Sequence, residues 1–322
     1  MDPDSELQFD FPPFLRLYKS GRVERLDGTG FVRADADPDP AMGVVSKDVP
    51  IDPDRGVSAR LYLPAGGEAA AAATAKLPIV VYFHGGAFCI ESPFSPQYHR
   101  YLTSLAAAAG VVAVSVHYRL APEHPLPAAY DDAWAALKWA ASNAASGPEP
   151  WLAARGDLRR LFLAGDSAGA NIAHNMAVRA AAKEEDLGFA IKGLVLMNPY
   201  FWGKDPVGEE TRDAEVRARM ESTWGFVCGG RYGIEHPFVD PWGSPRAWRE
   251  LASERVLVTV SEMDLFRERG KAYAEGLEKS GWRGEVQVYE TEGEDHVYYL
   301  SQPHSKKALN ELQVVASFIN RP

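Results

Sequence analysis

The apolar positions of the chain follow two rhythms. From Leu77 onward, short unbroken apolar runs alternate with longer segments whose apolar residues recur every three or four positions. The runs Ile79–Phe83, Val111–Val116, Leu161–Ala164, Ile191–Met197, Val256–Val260 and Val286–Tyr289 have the length and composition of buried strands. The segments at about 97–109, 128–145, 168–184, 265–280 and 304–320 predict helices. Strand and helix in alternation predict an α/β protein, a parallel sheet covered by helices on both faces. Upstream, Val44–Ile51 and Val57–Leu63 alternate as a strand pair joined through the turn at 52–56.

Three stretches break the rhythm. Residues 1–43 do not read as a sheet unit: Phe9, Phe11, Phe14, Leu15, Leu17 and Tyr18 form an aromatic patch interrupted by Pro12-Pro13. Such a segment must pack on something else. Residues 198–250 mix Trp202, Trp224, Phe226, Trp242 and Trp248 with Gly, Pro and charge. They read as an insertion that packs above the sheet together with the N-terminal segment. The Gly- and Ala-rich stretch at 66–75 reads as a loose surface loop, its alanines too few for a stable helix.

Composition narrows the function classes. The 322 residues are 46% hydrophobic, enough for one large core, and carry a net charge of −10. Acidity without a Lys/Arg cluster makes nucleic acid and anionic membrane poor partners. No apolar run approaches the ~20 residues of a membrane span. The acidic N-terminus has no hydrophobic signal region, and Cys89 and Cys228 read as lone thiols, so a cytoplasmic location is expected. No P-loop, G-x-G-x-x-G or H-E-x-x-H occurs, and no metal or organic cofactor is expected.

The candidate chemistry centres on Gly165-Asp166-Ser167-Ala168-Gly169, which joins the predicted strand Leu161–Ala164 to the predicted helix beyond. A G-x-S-x-G in that context makes a turn so tight that the serine hydroxyl is lifted clear of the sheet. A serine needs a base within reach and a carboxylate behind the base. Beyond the predicted helix at 168–184, three histidines follow Ser167. His236 lies in the insertion and His304 opens the last helix, whereas His296 stands in a polar loop after the last strand, where a base above the strand ends must be. For the acid, Glu262 and Asp264 both follow the strand Val256–Val260; Asp264 is favoured, with Glu262 as the alternative. The strand Ile79–Phe83 runs into His84-Gly85-Gly86-Ala87-Phe88, about eighty residues upstream of the serine. The amides of Gly85, Gly86, Ala87 and Ala168 are the expected donors to a developing oxyanion.

H-G-G-A-F, the run Tyr118–Ala128 (Y-R-L-A-P-E-H-P-L-P-A) and G-D-S-A-G together resemble the hormone-sensitive-lipase-like branch of the α/β hydrolases. The opening Leu15–Arg25 and the run Lys279–Trp282 resemble plant carboxylesterases in particular. The resemblance covers nearly the whole chain, although Ala87 stands where many relatives have a third glycine. It implies an α/β-hydrolase with an eight-stranded, mostly parallel sheet. It also implies a cap built from residues 1–43 and 198–250, and a triad of Ser167, Asp264 and His296.

The implied activity is hydrolysis of small to medium carboxylic esters through an acyl-enzyme. The same family contains a gibberellin receptor that lacks the catalytic histidine and a 2-hydroxyisoflavanone dehydratase, so a binder and a lyase stand as alternatives. Retention of His296 argues for turnover. Phe14, Phe88, Trp202, Trp224 and Tyr298 are the candidate pocket residues.

Overall fold

The computed structural model of the chain describes residues 3–65, 76–182, 188–243 and 248–322. The predicted loop at 66–75 lies outside the described residues. In chain order the strands are β1 (Leu7–Phe11), β2 (Leu15–Tyr18), β3 (Val23–Arg25), β4 (Val44–Asp52), β5 (Val57–Pro64), β6 (Leu77–Phe83), β7 (Val112–His117), β8 (Gly156–Asp166), β9 (Gly193–Met197), β10 (Arg255–Ser261) and β11 (Glu285–Thr291).

Strands β4 to β11 form one sheet in the order β11-β10-β9-β8-β6-β7-β5-β4. The six strands from β6 to β11 are parallel; β5 is antiparallel to β7, and β4 to β5. The eight-stranded, mostly parallel sheet implied by the resemblance is therefore present. Strand order reverses at β6, which has the later β7 on one side and β8 on the other. In an open α/β sheet the crevice beyond the carboxyl ends at such a reversal is where ligands bind. Here Phe83 of β6 pairs with Gly165 of β8, so the two motifs H-G-G-A-F and G-D-S-A-G leave the sheet side by side.

Alternate residues of each strand feed two cores. Ile79, Val81 and Phe83 face the helices Ala128–Ser146 and Ala168–Ala181; Val80 and Tyr82 face the helices Pro96–Ala109 and Lys306–Asn320. Phe162 is fully buried, and truncating such a ring to alanine costs about 3–5 kcal/mol through lost transfer energy and the cavity left behind.

Strand β8 begins five residues before the apolar run that predicts it. A register shift between Pro78 and Ile79 lets Gly156 and Asp157 pair with Leu77 and Pro78, ahead of the polar Arg159 and Arg160 that hide the strand in the sequence. The helix Pro150–Arg155 was also unforeseen; it is one and a half turns long, capped by the Glu149 side chain on Trp151 N.

Residues 1–43 depart from the sequence reading. β1, β2 and β3 form a separate antiparallel ribbon. Pro12-Pro13 supplies the turn between its first two strands rather than ending the order. The ribbon docks on the insertion, where Phe9 stacks on Phe226 with ring centroids 4.0 Å apart. Phe226 belongs to the helix Ala214–Val227, which starts where the Asp213 carboxylate accepts the amides of Glu215 and Val216.

Candidate active site

Ser167 sits between the last residue of β8 and the first turn of the helix Ala168–Ala181, at φ 51° and ψ −118°. A left-handed φ at a non-glycine residue is strained by roughly 1–3 kcal/mol and persists only where neighbours hold it. Here the Ser167 amide donates to Met197 O (2.9 Å), and its carbonyl accepts from Tyr200 N (3.0 Å) and Asn171 N (3.1 Å). The flanking glycines are steric requirements: a Cβ on Gly165 would overlap the Gly169 carbonyl, and one on Gly169 would overlap the Phe83 carbonyl oxygen.

Two strands away, Asp264 follows β10 with its carboxylate almost fully buried. Oδ2 lies 2.9 Å from His296 Nδ1 and accepts from Asn198 Nδ2 (2.8 Å); Oδ1 accepts from Phe266 N (2.9 Å). Of the two carboxylates open to the sequence reading, Asp264 is the one that meets the histidine. Glu262 turns to the surface and accepts from Gly293 N (2.7 Å), bracing the loop that carries His296. Burial lowers the imidazole pKa, but the Asp264 charge and hydrogen bond outweigh it, and the net shift is upward. His236 stays in the insertion, packed against Tyr232 and edge-on to Phe238, and His304 is exposed. Among the described residues no hydrogen bond joins Ser167 to His296; their loops leave the carboxyl edge of the same sheet from β8 and β11.

The loop after β6 is held in an unusual conformation. Gly86 (φ 96°), Ala87 (φ 50°) and Phe88 (φ 61°) are all left-handed. Cys89 N and Ile90 N return to Gly86 O at 2.9 and 3.0 Å. The amides of Gly86, Ala87 and Ala168 have no partner among the described residues. Gly85 does not fit its expected role: its amide donates inward to Tyr98 Oη (2.8 Å) and Asp166 Oδ1 (3.1 Å), so it has no proton left for a substrate oxygen. Its glycine is needed for another reason, because a Cβ there would overlap Asp166 Oδ2.

Asp166 and Asn198 were not singled out in the sequence. Asp166 is buried beside the serine, accepts from Tyr82 Oη (2.7 Å) and Tyr98 Oη (2.8 Å), and is pushed by burial up to about 6. The signal was a charged residue at the end of a strand buried on both faces. Asn198, left-handed at φ 45°, ends β9 and orients Asp264. His84 is kept neutral by burial, its pKa lowered to about 3.

A family profile described as the alpha/beta hydrolase fold matches residues 80–300. The chain is 46% identical to "Probable carboxylesterase 5" of Arabidopsis thaliana, over 98% of this chain and 99% of that one. The chain belongs to the plant carboxylesterase branch of the α/β hydrolases. This hydrolase is also 41% identical to a 2-hydroxyisoflavanone dehydratase of Glycyrrhiza echinata, over 98% of the chain and 96% of the relative. Among solved structures it resembles the esterase LipW from Mycobacterium marinum, with TM-score 0.70, 27% identity and coverage of 87% and 82% of the two chains.

In the hydrolase, four of the five expected pocket aromatics lie together on the face of the sheet that carries the insertion. Phe14 is partly buried there, and Phe88, Trp202 and Trp224 are fully buried. Phe88 meets Tyr130, Tyr200 and Trp224 edge-on, with centroids 6.1, 6.0 and 6.3 Å away. The guanidinium groups of Arg217 and Arg269 both approach the Trp202 ring, 4.9 and 5.8 Å from its centroid. Tyr298 does not belong with them. The chain turns under the sheet after His296, and the Tyr298 hydroxyl donates to Glu311 Oε2 (2.9 Å) in the opposite core. Phe266, unforeseen, is the aromatic neighbour of His296, the ring centroids 5.2 Å apart. Among the described residues there is no acidic, histidine or cysteine cluster able to hold a metal, and no helix long and apolar enough to cross a membrane.

Proposed function

We propose that the chain is a serine carboxylesterase in which Ser167 is the nucleophile, His296 the base and Asp264 its orienting carboxylate. The observation that carries this reading is the Asp264–His296 hydrogen bond on the same sheet edge as a strained, left-handed serine. Asp264 holds the proton on Nδ1, which leaves Nε2 free to take the Ser167 hydroxyl proton. Oγ then attacks the ester carbonyl, and the amides of Gly86, Ala87 and Ala168 donate to the oxygen as it becomes negative. The imidazolium returns its proton to the departing alcohol. Water, activated by the same imidazole, attacks the acyl-enzyme and releases the carboxylic acid.

The ribbon, with the rest of residues 1–43, and the insertion at 198–250 form the cap over this site, with Phe14, Phe88, Trp202 and Trp224 supplying the apolar surface for small to medium acyl and alcohol groups. A cytoplasmic location is supported by two free, buried cysteines. The test is a panel of nitrophenyl and natural-type esters assayed beside a 2-hydroxyisoflavanone, because the dehydratase relative favours a lyase as the second reading. A burst of one nitrophenol per chain supports the esterase; water elimination with no ester cleaved would replace it with the lyase.

A further inference from the structure

The N-terminal ribbon is clasped to the loop after β6 by one side chain. Arg25, the last residue of β3, sends its guanidinium between two stretches of the main body. Nε donates to Cys89 O at 2.7 Å and Nη2 to Ala121 O at 3.2 Å. Nη1 and Nη2 also grip the Glu123 carboxylate at 2.8 and 2.7 Å. Ala121 N in turn donates to Phe88 O at 2.9 Å. Beyond the ribbon, Gly28 (φ 70°) runs so close to the far end of the loop that a Cβ there would lie 2.6 Å from Glu91 N.

These contacts fall on the strained part of the loop. Gly86, Ala87 and Phe88 are left-handed in succession, and two of the three carry a Cβ. A loop in that state persists only where its neighbours hold its peptide planes. The carbonyls of Phe88 and Cys89 are the pinned groups; Cys89 N and Ile90 N in turn hold Gly86 O, which shares its peptide plane with the Ala87 amide, and the Gly86 amide lies on the plane before that one. Arginine suits the task because its planar fork reaches several acceptors at once, whereas a lysine ammonium is a single point.

We propose that Arg25 is a positioning residue for catalysis: from the N-terminal ribbon it holds the loop 86–89 in the conformation that presents the Gly86 and Ala87 amides to the oxyanion. Docking of the ribbon and competence of the oxyanion site are then one event. The inference rests on the esterase reading above and adds to it the part played by the N-terminal segment.

The full-length protein and its Arg25→Met, Arg25→Lys, Glu123→Gln and Arg22→Met variants test it. Arg22 lies on the same ribbon but packs on Tyr18 and bonds Asp4 O, away from the loop. The readouts are kcat and KM on a short nitrophenyl ester, and the inhibition constant of a trifluoromethyl ketone that mimics the tetrahedral oxyanion. Arg25→Met is expected to lower kcat about 10²-fold, the effect of displacing a catalytic group by about an ångström. KM should stay within about twofold while the ketone weakens in step with kcat, and Arg22→Met should match wild type. Wild-type kcat in Arg25→Met, a change in KM alone, or lost kcat with undiminished ketone affinity would each overturn the proposal. If Arg25→Met does not fold, Arg25→Lys and Glu123→Gln decide: smaller, parallel losses of kcat and ketone affinity support it, and unchanged values overturn it. A wild type that cleaves no ester would sink the esterase reading itself, an outcome distinct from active variants.

Discussion

Asp264 and His296 meet through a 2.9 Å hydrogen bond between Oδ2 and Nδ1, while Oδ1 of the same carboxylate is occupied by the Phe266 amide. The carboxylate is therefore held at both oxygens, and as an acceptor it favours the imidazole tautomer with the proton on Nδ1. Asp264→Asn keeps the shape but offers a donor where an acceptor is needed, and kcat should fall about 10⁴-fold. Glu262→Gln, which only loosens a surface brace on Gly293, should leave turnover near wild type. Steady-state kinetics of the two variants check the assignment; the reverse ranking would transfer the role to Glu262.

The pH profile follows from the same pair. Only neutral imidazole accepts the serine proton, so activity is lost as pH falls through the His296 pKa. The net shift of that pKa is upward from 6.5, so the acidic limb of kcat/KM should lie above 6.5. In Asp264→Asn the attraction that raises it is gone, while burial remains, and the limb should move to lower pH. A wild-type limb below 6.5 would contradict the electrostatics inferred for the pair.

Asp166 makes a separate prediction about stability. Its folded pKa of about 6 stands above the ordinary 3.8, so the folded state binds that proton more tightly than the unfolded chain does. The stabilisation linked to this group is fully present below about 3.8 and is lost as pH rises through about 6. Thermal unfolding of Asp166→Asn, compared with wild type from pH 4 to 7, should remove that part of the slope. Curves that stay parallel across the range would refute it.

Two glycines on helices should respond in opposite directions. Gly169→Ala forces a Cβ into the Phe83 carbonyl oxygen and should cost about 1–3 kcal/mol or more, with loss of activity, because the elbow packs on that strand. Gly225, inside the helix Ala214–Val227, has open space around its Cβ position. Gly225→Ala should stabilise by about 0.4–1 kcal/mol. Denaturant titration of both variants is the check.

The parts legible in the sequence were those whose chemistry is confined to a strand end. The tight turn at Ser167 was legible because Gly165 and Gly169 allow its close packing, and the place of the His296 loop because it follows the last strand. Asp264 and Glu262 are two residues apart on one loop, and only the fold shows that one faces inward. Gly85 misled for a related reason: which proton an amide uses depends on Tyr98 and Asp166, distant in sequence and adjacent in space. Tyr298 misled because the chain dives under the sheet directly after His296. The N-terminal ribbon was obscured by strands of three to five residues, which pair with one another and pack on the core, on Phe226 and on the loop that Arg25 clasps.

The central claim is that Ser167, activated by His296, attacks the ester. Intact-protein mass spectrometry after exposure to a fluorophosphonate tests it most directly, because that reagent leaves a stable adduct on an activated serine. Wild type should gain one phosphonyl group, mapped to the peptide bearing Ser167, while Ser167→Ala gains none and His296→Val reacts slower by several orders of magnitude, as expected where the triad acts as a unit. An adduct on a different residue, or equal labelling of Ser167→Ala, would contradict the account.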